Sequence, residues 1–220
     1  MERSEFYNDY KQARNLSWEV LIKQNIQYLP VDLKQIFRNI GIKATSYEKG
    51  KEIIDQCGFN EYTINDGFSI AVDGRYYIFC DGNQLETRLR FTLAHELGHI
   101  LLGHVDHENV ACRANVTIWN KGEAEEPNPL EAAANVFASR LLAPACVLHS
   151  VGATTPDDIA GLCGLSRRAA EIRARRMEEL EKRNAEWIAS KGYGCFGLDR
   201  QERQVLLQFR DFIEEYQVEI

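Results

Sequence analysis

The feature that most narrows the folds open to this chain is an apolar, helix-patterned run from Glu86 to His104 with the polar set His95-Glu96-Leu97-Gly98-His99 in its middle. Phe91, Leu93, Ala94, Leu97, Ile100, Leu101 and Leu102 surround that set, which marks a helix enclosed by other elements. Unpaired polar groups in an interior are costly, so the fold has to bring partners to two imidazoles and a carboxylate. Gly98 adds a second demand. Glycine inside a helix costs about 1 kcal/mol relative to alanine, and a close approach by another backbone or by a substrate would account for it.

The spacing carries chemistry. Residues four apart lie on one face of a helix, so His95 and His99 both turn a ring nitrogen toward one point and are candidate ligands of one metal ion. Glu96, beside them, is placed to reach a water at that ion rather than the ion itself. Zinc with such ligands and an open position lowers the pKa of its water to about 7, and a neighbouring carboxylate then serves as general base. His-Glu-x-x-His also occurs in unrelated helices, where the histidines are ordinary surface or packed residues. The apolar surroundings count against that here. The pattern points to metal-assisted hydrolysis of a peptide bond, with zinc as the expected ion and manganese or iron as fits to the same ligand types.

Such a site needs a third protein ligand. His104 lies five residues past His99, about 140° around the helix, and is expected to face away from the site and to meet the free carbonyls of the helix C-terminus. Asp106, His107 and Glu108 are close in sequence. Glu131 is the better candidate, since it opens the next helical run, EAAANVFASRLLAP, whose alanine-rich face permits close helix packing. An acid at a helix start also complements the helix dipole, and the pattern alone does not choose between the two roles. Tyr76, Tyr77, His104 and His107 are candidates for stabilising an oxyanion, with no spacing that singles one out.

Composition sets the remaining bounds. With 220 residues, 45% of them hydrophobic, the chain can build a core without disulfides. A net charge of −7 argues against a general nucleic-acid binder. The six cysteines show no Cys-x-x-Cys spacing, the first residues are polar rather than signal-like, and no apolar run approaches the ~18–20 residues of a membrane span. These features fit free thiols in a cytoplasmic protein with no membrane role.

Periodicity predicts helices over Ser4–Leu29, ended by Pro30, and over Val31–Ile40, with Gly41 just past the second. A strand is expected over Ile42–Tyr47. Asp73-Gly74, between Phe68–Val72 and Arg75–Cys80, predicts a hairpin. An exposed loop is expected over Asp106–Pro129, followed by helices over Leu130–Leu142, Asp157–Cys163, Ser166 to about Arg183, and Leu198–Tyr216. Tyr193–Gly197 reads as a glycine-rich break.

The combination RFTLAHELGHILLGH followed by ExxANxFASRLLAP resembles the ImmA/IrrE-type metallopeptidases, with further likeness in LPVDLKQIFRNIGI, GFSIAVDGRYYIFCDG and PDDIAGLCGLSRRAAEIRARRMEEL. The resemblance implies His95, His99 and Glu131 as zinc ligands and Glu96 as catalytic base. It implies an α+β fold, a mostly helical zincin-like domain over residues 1–150 with a small antiparallel sheet (the hairpin about 68–80) beside the active-site helix. The residues of 151–220 read as a helical region, a support or partner-docking surface, whose part after about Lys191 lies beyond the resemblance. The implied activity is cleavage of a regulatory protein, a helix-turn-helix repressor, to release mobile-element or stress genes. Leu141-Leu142-Ala143-Pro144 departs conservatively from the usual LLMP, and Ala133 replaces an extra acid or glutamine, leaving Glu131 as the acid of that motif.

Two other readings compete. The protein could antagonise a repressor by contact alone, its zinc serving structure. Or residues 156–183 could bind DNA as a helix-turn-helix, since Arg167 to Arg176 holds five arginines and one glutamate. Glu96 has no ligand role and favours catalysis over a structural ion.

Overall fold

The computed structural model describes residues 3–57, 66–105, 128–191 and 200–218. The chain divides into two compact units, Met1–Leu16 with Leu33–Ala138, and Ser17–Asp32 with Ser139–Ile220. The architecture is mostly helical with one three-stranded mixed sheet, the α+β class expected.

Helix α1 (Arg3–Lys23) stops six residues before the Leu29 expected from periodicity. Asn25 takes a positive φ of 51°, and the Ile26 and Asn25 N–H groups turn back onto the carbonyls of Leu21 and Ile22. This left-handed cap ends the helix, and Pro30 lies beyond it.

In the first unit, α2 (Leu33–Ile40) buries Leu33, Ile36 and Phe37 at helical spacing and ends at Gly41, φ 82°. The strand β1 (Lys43–Ser46) follows, and Ser46 caps α3 (Tyr47–Gln56) by accepting from the Lys49 N–H. Helix α3 was not evident from periodicity, because its turns are mostly charged. The hairpin β2 (Gly67–Val72) and β3 (Arg75–Cys80) turns at Asp73-Gly74, φ 49° and 72°, as a two-residue turn of this type requires. The antiparallel hairpin is joined by β1, which runs parallel to β3 and gives the order β1-β3-β2.

The pleat sorts the sheet into two faces. Phe68, Ile70 and Phe79 cluster with Ile54 of α3 on one side. Gly50 of α3 is required there, since a Cβ would collide with the Phe79 ring. The opposite face carries Gly67, Ser69, Ala71, Tyr76, Ile78 and Cys80 in cross-strand register. It meets α4 (Glu86–Leu101), so tightly that a Cβ on Gly67 would lie 2.6 Å from Thr92 Cγ2. Helix α5 (Pro129–Leu142) packs on α4 at Gly98, where a Cβ would come within 3.0 Å of Phe137 Cδ1 and 3.3 Å of Ala134 Cα. The close approach anticipated at Gly98 is thus the backbone of a neighbouring helix.

In the second unit, α6 (Ala145–Ser150) is a short turn of helix outside the expected set. Helix α7 (Pro156–Cys163) is capped by the Thr155 side chain, carries a proline in its first turn and ends at Gly164, φ 61°. Helix α8 (Arg167–Lys191) runs further than the expected end near Arg183. The final helix is interrupted at Phe209, giving α9 (Arg200–Gln208) and α10 (Arg210–Val218). Gln208 donates to the carbonyls of Leu21 and Ile26, so the interruption stands beside the end of α1.

Of the five arginines that suggest a DNA-reading helix, Arg173 is 2% exposed and donates to the Ala143 carbonyl at 2.8 Å. Arg167 pairs with Asp157 and Glu171, and Arg176 with Glu179. Three of the five are therefore engaged within the protein.

Pro129–Ser150 has the length and apolar content of a membrane span, and 67% of its most apolar window is buried inside the protein, as in a core segment. Of the loop expected over Asp106–Pro129, residues 106–127 lie outside the described residues, as does the break at Tyr193–Gly197, while Pro129 already belongs to α5.

Candidate metal centre

His95 and His99, one turn apart on α4, point their Nε2 atoms to a common place, 3.0 Å from each other. Glu131 arrives there from the first turn of α5. Its Oε2 lies 3.0 Å from His95 Nε2 and its Oε1 3.3 Å from His99 Nε2. Bonds of about 2.0–2.1 Å to a tetrahedral ion set donor atoms roughly 3.3 Å apart, so the three groups already stand at ligand spacing. Each offers one donor atom to a single ion. The side chains are 16%, 14% and 24% exposed, which leaves solvent a path to the shared point.

The outward nitrogens fix the histidines' orientation. His95 Nδ1 lies 3.0 Å from Asn135 Oδ1, an acceptor, so this nitrogen carries a hydrogen and donates. In the neutral ring the Nε2 lone pair then faces Glu131. His99 Nδ1 lies 3.0 Å from His104 Nδ1. Lone pairs and a carboxylate converging at 3 Å repel unless a positive charge stands among them. The titration behaviour expresses this. Burial works against ionisation of Glu131, yet hydrogen bonds from His95 and His99 hold its pKa at about 2, below the ordinary 4.5. Burial also opposes protonation of His95, but its bond to Glu131 and the charges of Glu96 and Glu131 raise its pKa overall. A divalent cation supplies that charge, and the donor set fits one; a proton bridging His95 and Glu131 answers the same repulsion.

Glu96, 7% exposed, accepts a 2.8 Å hydrogen bond from Ser69 Oγ of the sheet and acts electrostatically on His95. Of the oxyanion candidates, Tyr77 stacks with Phe79 on the sheet face opposite α4. Tyr76 shares the face of Ser69, and burial raises its pKa. Asp106, His107 and Glu108 lie outside the described residues. The expectation that His104 faces away is corrected. The helix ends at Leu101 with Leu102 as its C-cap, Gly103 takes φ 76°, and the His104 N–H returns to the His99 carbonyl at 2.9 Å, so the chain folds back before helical geometry can carry the ring around.

Ser69 and Asn135 were not singled out from sequence. Asn135 had a signal, standing four residues after Glu131 and so on its face of α5. Ser69 had a weaker one, a hydroxyl in an otherwise apolar strand.

A family model for the IrrE N-terminal-like domain, a peptidase family, matches residues 49–175. The chain belongs to this family. The matched IrrE-like region contains the hairpin, α4, α5 and every residue of the centre described above, and it makes the chain a metallopeptidase of the ImmA/IrrE kind. The chain matches no curated protein sequence.

Proposed function

We propose that this IrrE-like chain is a zinc-dependent endopeptidase that cleaves a specific regulatory protein in the cytoplasm, a helix-turn-helix repressor of mobile-element or stress genes. The observation that carries the reading is the convergence of His95, His99 and Glu131 at 3.0–3.3 Å, with a second carboxylate, that of Glu96, on the same helix turn and held by Ser69. His95, His99 and Glu131 hold the ion. Zinc bound there supplies Lewis acidity and makes water a nucleophile at neutral pH. Glu96 takes a proton from the attacking water and delivers it to the leaving amine as the peptide bond breaks. The Ser69 bond keeps the Glu96 carboxylate in one orientation while it does so. The identity of the substrate rests on the family resemblance. The cytoplasmic setting accords with the free thiols of Cys57, Cys80, Cys146 and Cys163.

The test is a cleavage assay with a repressor encoded beside the gene for this chain, paired with metal analysis. Glu96→Gln is expected to keep zinc and lose cleavage, and His95→Ala to lose both. Relief of repression by Glu96→Gln equal to that of the unaltered protein would replace proteolysis with antagonism by contact.

A further inference from the structure

We propose that His104 is a positioning residue for the metal centre: its Nδ1 accepts the Nδ1–H of His99 and so holds His99 in the tautomer and orientation that present Nε2 to the ion. The inference rests on the zinc reading above and extends it to a residue outside the ligand set.

The geometry has two parts. Gly103 at φ 76° reverses the chain directly after α4, a conformation that a side chain disfavours although nothing crowds its Cβ position. The reversal gives His104 two attachments to His99. Its backbone N–H donates to the His99 carbonyl at 2.9 Å, and its ring nitrogen meets the His99 ring at 3.0 Å with the planes 66° apart. Two facing ring nitrogens make a hydrogen bond only if one carries hydrogen and the other a lone pair. Ligation through His99 Nε2 requires the hydrogen on His99 Nδ1, which makes His104 Nδ1 the acceptor. His95 is served in the same sense by Asn135 Oδ1, so each histidine ligand has its own acceptor, one from α5 and one from the turn after α4. Outer partners of this kind fix ring orientation and raise ligand basicity, and their loss typically lowers metal affinity about 10–100-fold.

The experiment measures zinc affinity of the full chain by chelator competition, with thermal melts of the metal-free proteins as a control on folding. His104→Leu is expected to weaken zinc binding roughly 10–100-fold. His104→Asn places an amide oxygen near the position of Nδ1 and is expected to stay within a few-fold of the unaltered protein. His104→Gln reaches instead toward the position of Nε2 and is expected to behave like the leucine variant. A role in packing alone would not separate asparagine from glutamine, so this pair decides the matter even if His104→Leu fails to fold. Equal affinities for the asparagine and glutamine variants overturn the proposal while leaving the zinc reading in place. An unaltered protein that takes up no zinc overturns the zinc reading and this inference with it.

Discussion

The Ser69 hydroxyl donates to Glu96 Oε2 at 2.8 Å, joining the middle of β2 to the centre of α4. Both residues are buried, Ser69 at 5% and Glu96 at 7% exposure. A general base must stand within hydrogen-bond reach of the proton that it takes, and a displacement of about 1 Å can cost on the order of 100-fold. Ser69→Ala removes the tether without touching a metal ligand. The expected outcome is unchanged zinc content and a kcat lowered on the order of tenfold, the carboxylate now sampling more than one orientation. Steady-state kinetics with parallel metal analysis checks this. An unchanged kcat would show that the α4 backbone alone positions Glu96.

Asn135 holds His95 as Ser69 holds Glu96. Its Oδ1 fixes the hydrogen on His95 Nδ1, 3.0 Å away, and turns the Nε2 lone pair toward the point shared with His99 and Glu131. Asn135→Ala is expected to weaken zinc binding about 10–100-fold with little change in the far-UV circular dichroism spectrum. Asn135→Asp keeps an acceptor at the same place and adds negative charge beside a cation, so it is expected to bind at least as tightly as the unaltered chain. Competition with a chromophoric chelator reads both. Equal affinity in Asn135→Ala would remove the residue from the centre's support.

Much of this site was legible from spacing, because a helix's geometry is local. His95 and His99 share a face whatever surrounds them, and Asp73-Gly74 dictates its own turn. Glu131 was readable only as a candidate, since an acid at a helix start has two physical uses and the choice between them depends on where α5 packs. His104 shows the limit of helical arithmetic. The 140° projection holds only while the helix continues, and Gly103 ends it one residue earlier. The early stop of α1 at Asn25 is the same kind of event, a left-handed cap at a residue other than glycine that a hydrophobic period does not reveal. The parallel pairing of β1 with β3 was also hidden, because partner choice between strands depends on contacts distant in sequence.

Proton linkage predicts how the metal-free protein responds to pH. The Glu131 carboxyl is depressed from 4.5 to about 2, so its stabilising contribution is complete above about 4.5 and is lost as pH falls toward 2. The His95 pKa is raised from 6.5, so its contribution is complete below 6.5 and is lost as pH rises through the folded value. The pair therefore stabilises the metal-free fold most between about 4.5 and 6.5. Glu131→Gln removes the first contribution and the share of the second that comes from Glu131, leaving the share from Glu96 and Asn135. Thermal melts in chelator are expected to show the largest Tm advantage of the unaltered chain over Glu131→Gln in that window, shrinking on either side. A difference independent of pH would contradict the proton-bridged geometry.

Gly98 tests whether helix packing sets the ligand spacing. In an exposed helix, glycine to alanine stabilises by about 1 kcal/mol. Here the added methyl group would stand 3.0 Å from Phe137 Cδ1 and 3.3 Å from both Ala134 Cα and its carbonyl oxygen. The Phe137 ring can rotate away, but the Ala134 backbone yields only by moving α5 away from α4. Overpacking of this kind costs typically 1–3 kcal/mol, enough to outweigh the gain in helix propensity. Glu131 lies one turn before Ala134 and Asn135 on the displaced helix, so the shift opens the 3.0 and 3.3 Å separations between Glu131 and the two histidines. Gly98→Ala is expected to lower the Tm of the metal-free protein and, independently, to weaken zinc binding more than the loss of stability alone accounts for. Denaturant unfolding of the metal-free protein and chelator competition on the folded protein separate the two effects. A variant as stable as the unaltered chain, with the same affinity for zinc, would mean that α4 and α5 have slack at their crossing and that the ligand spacing is set elsewhere.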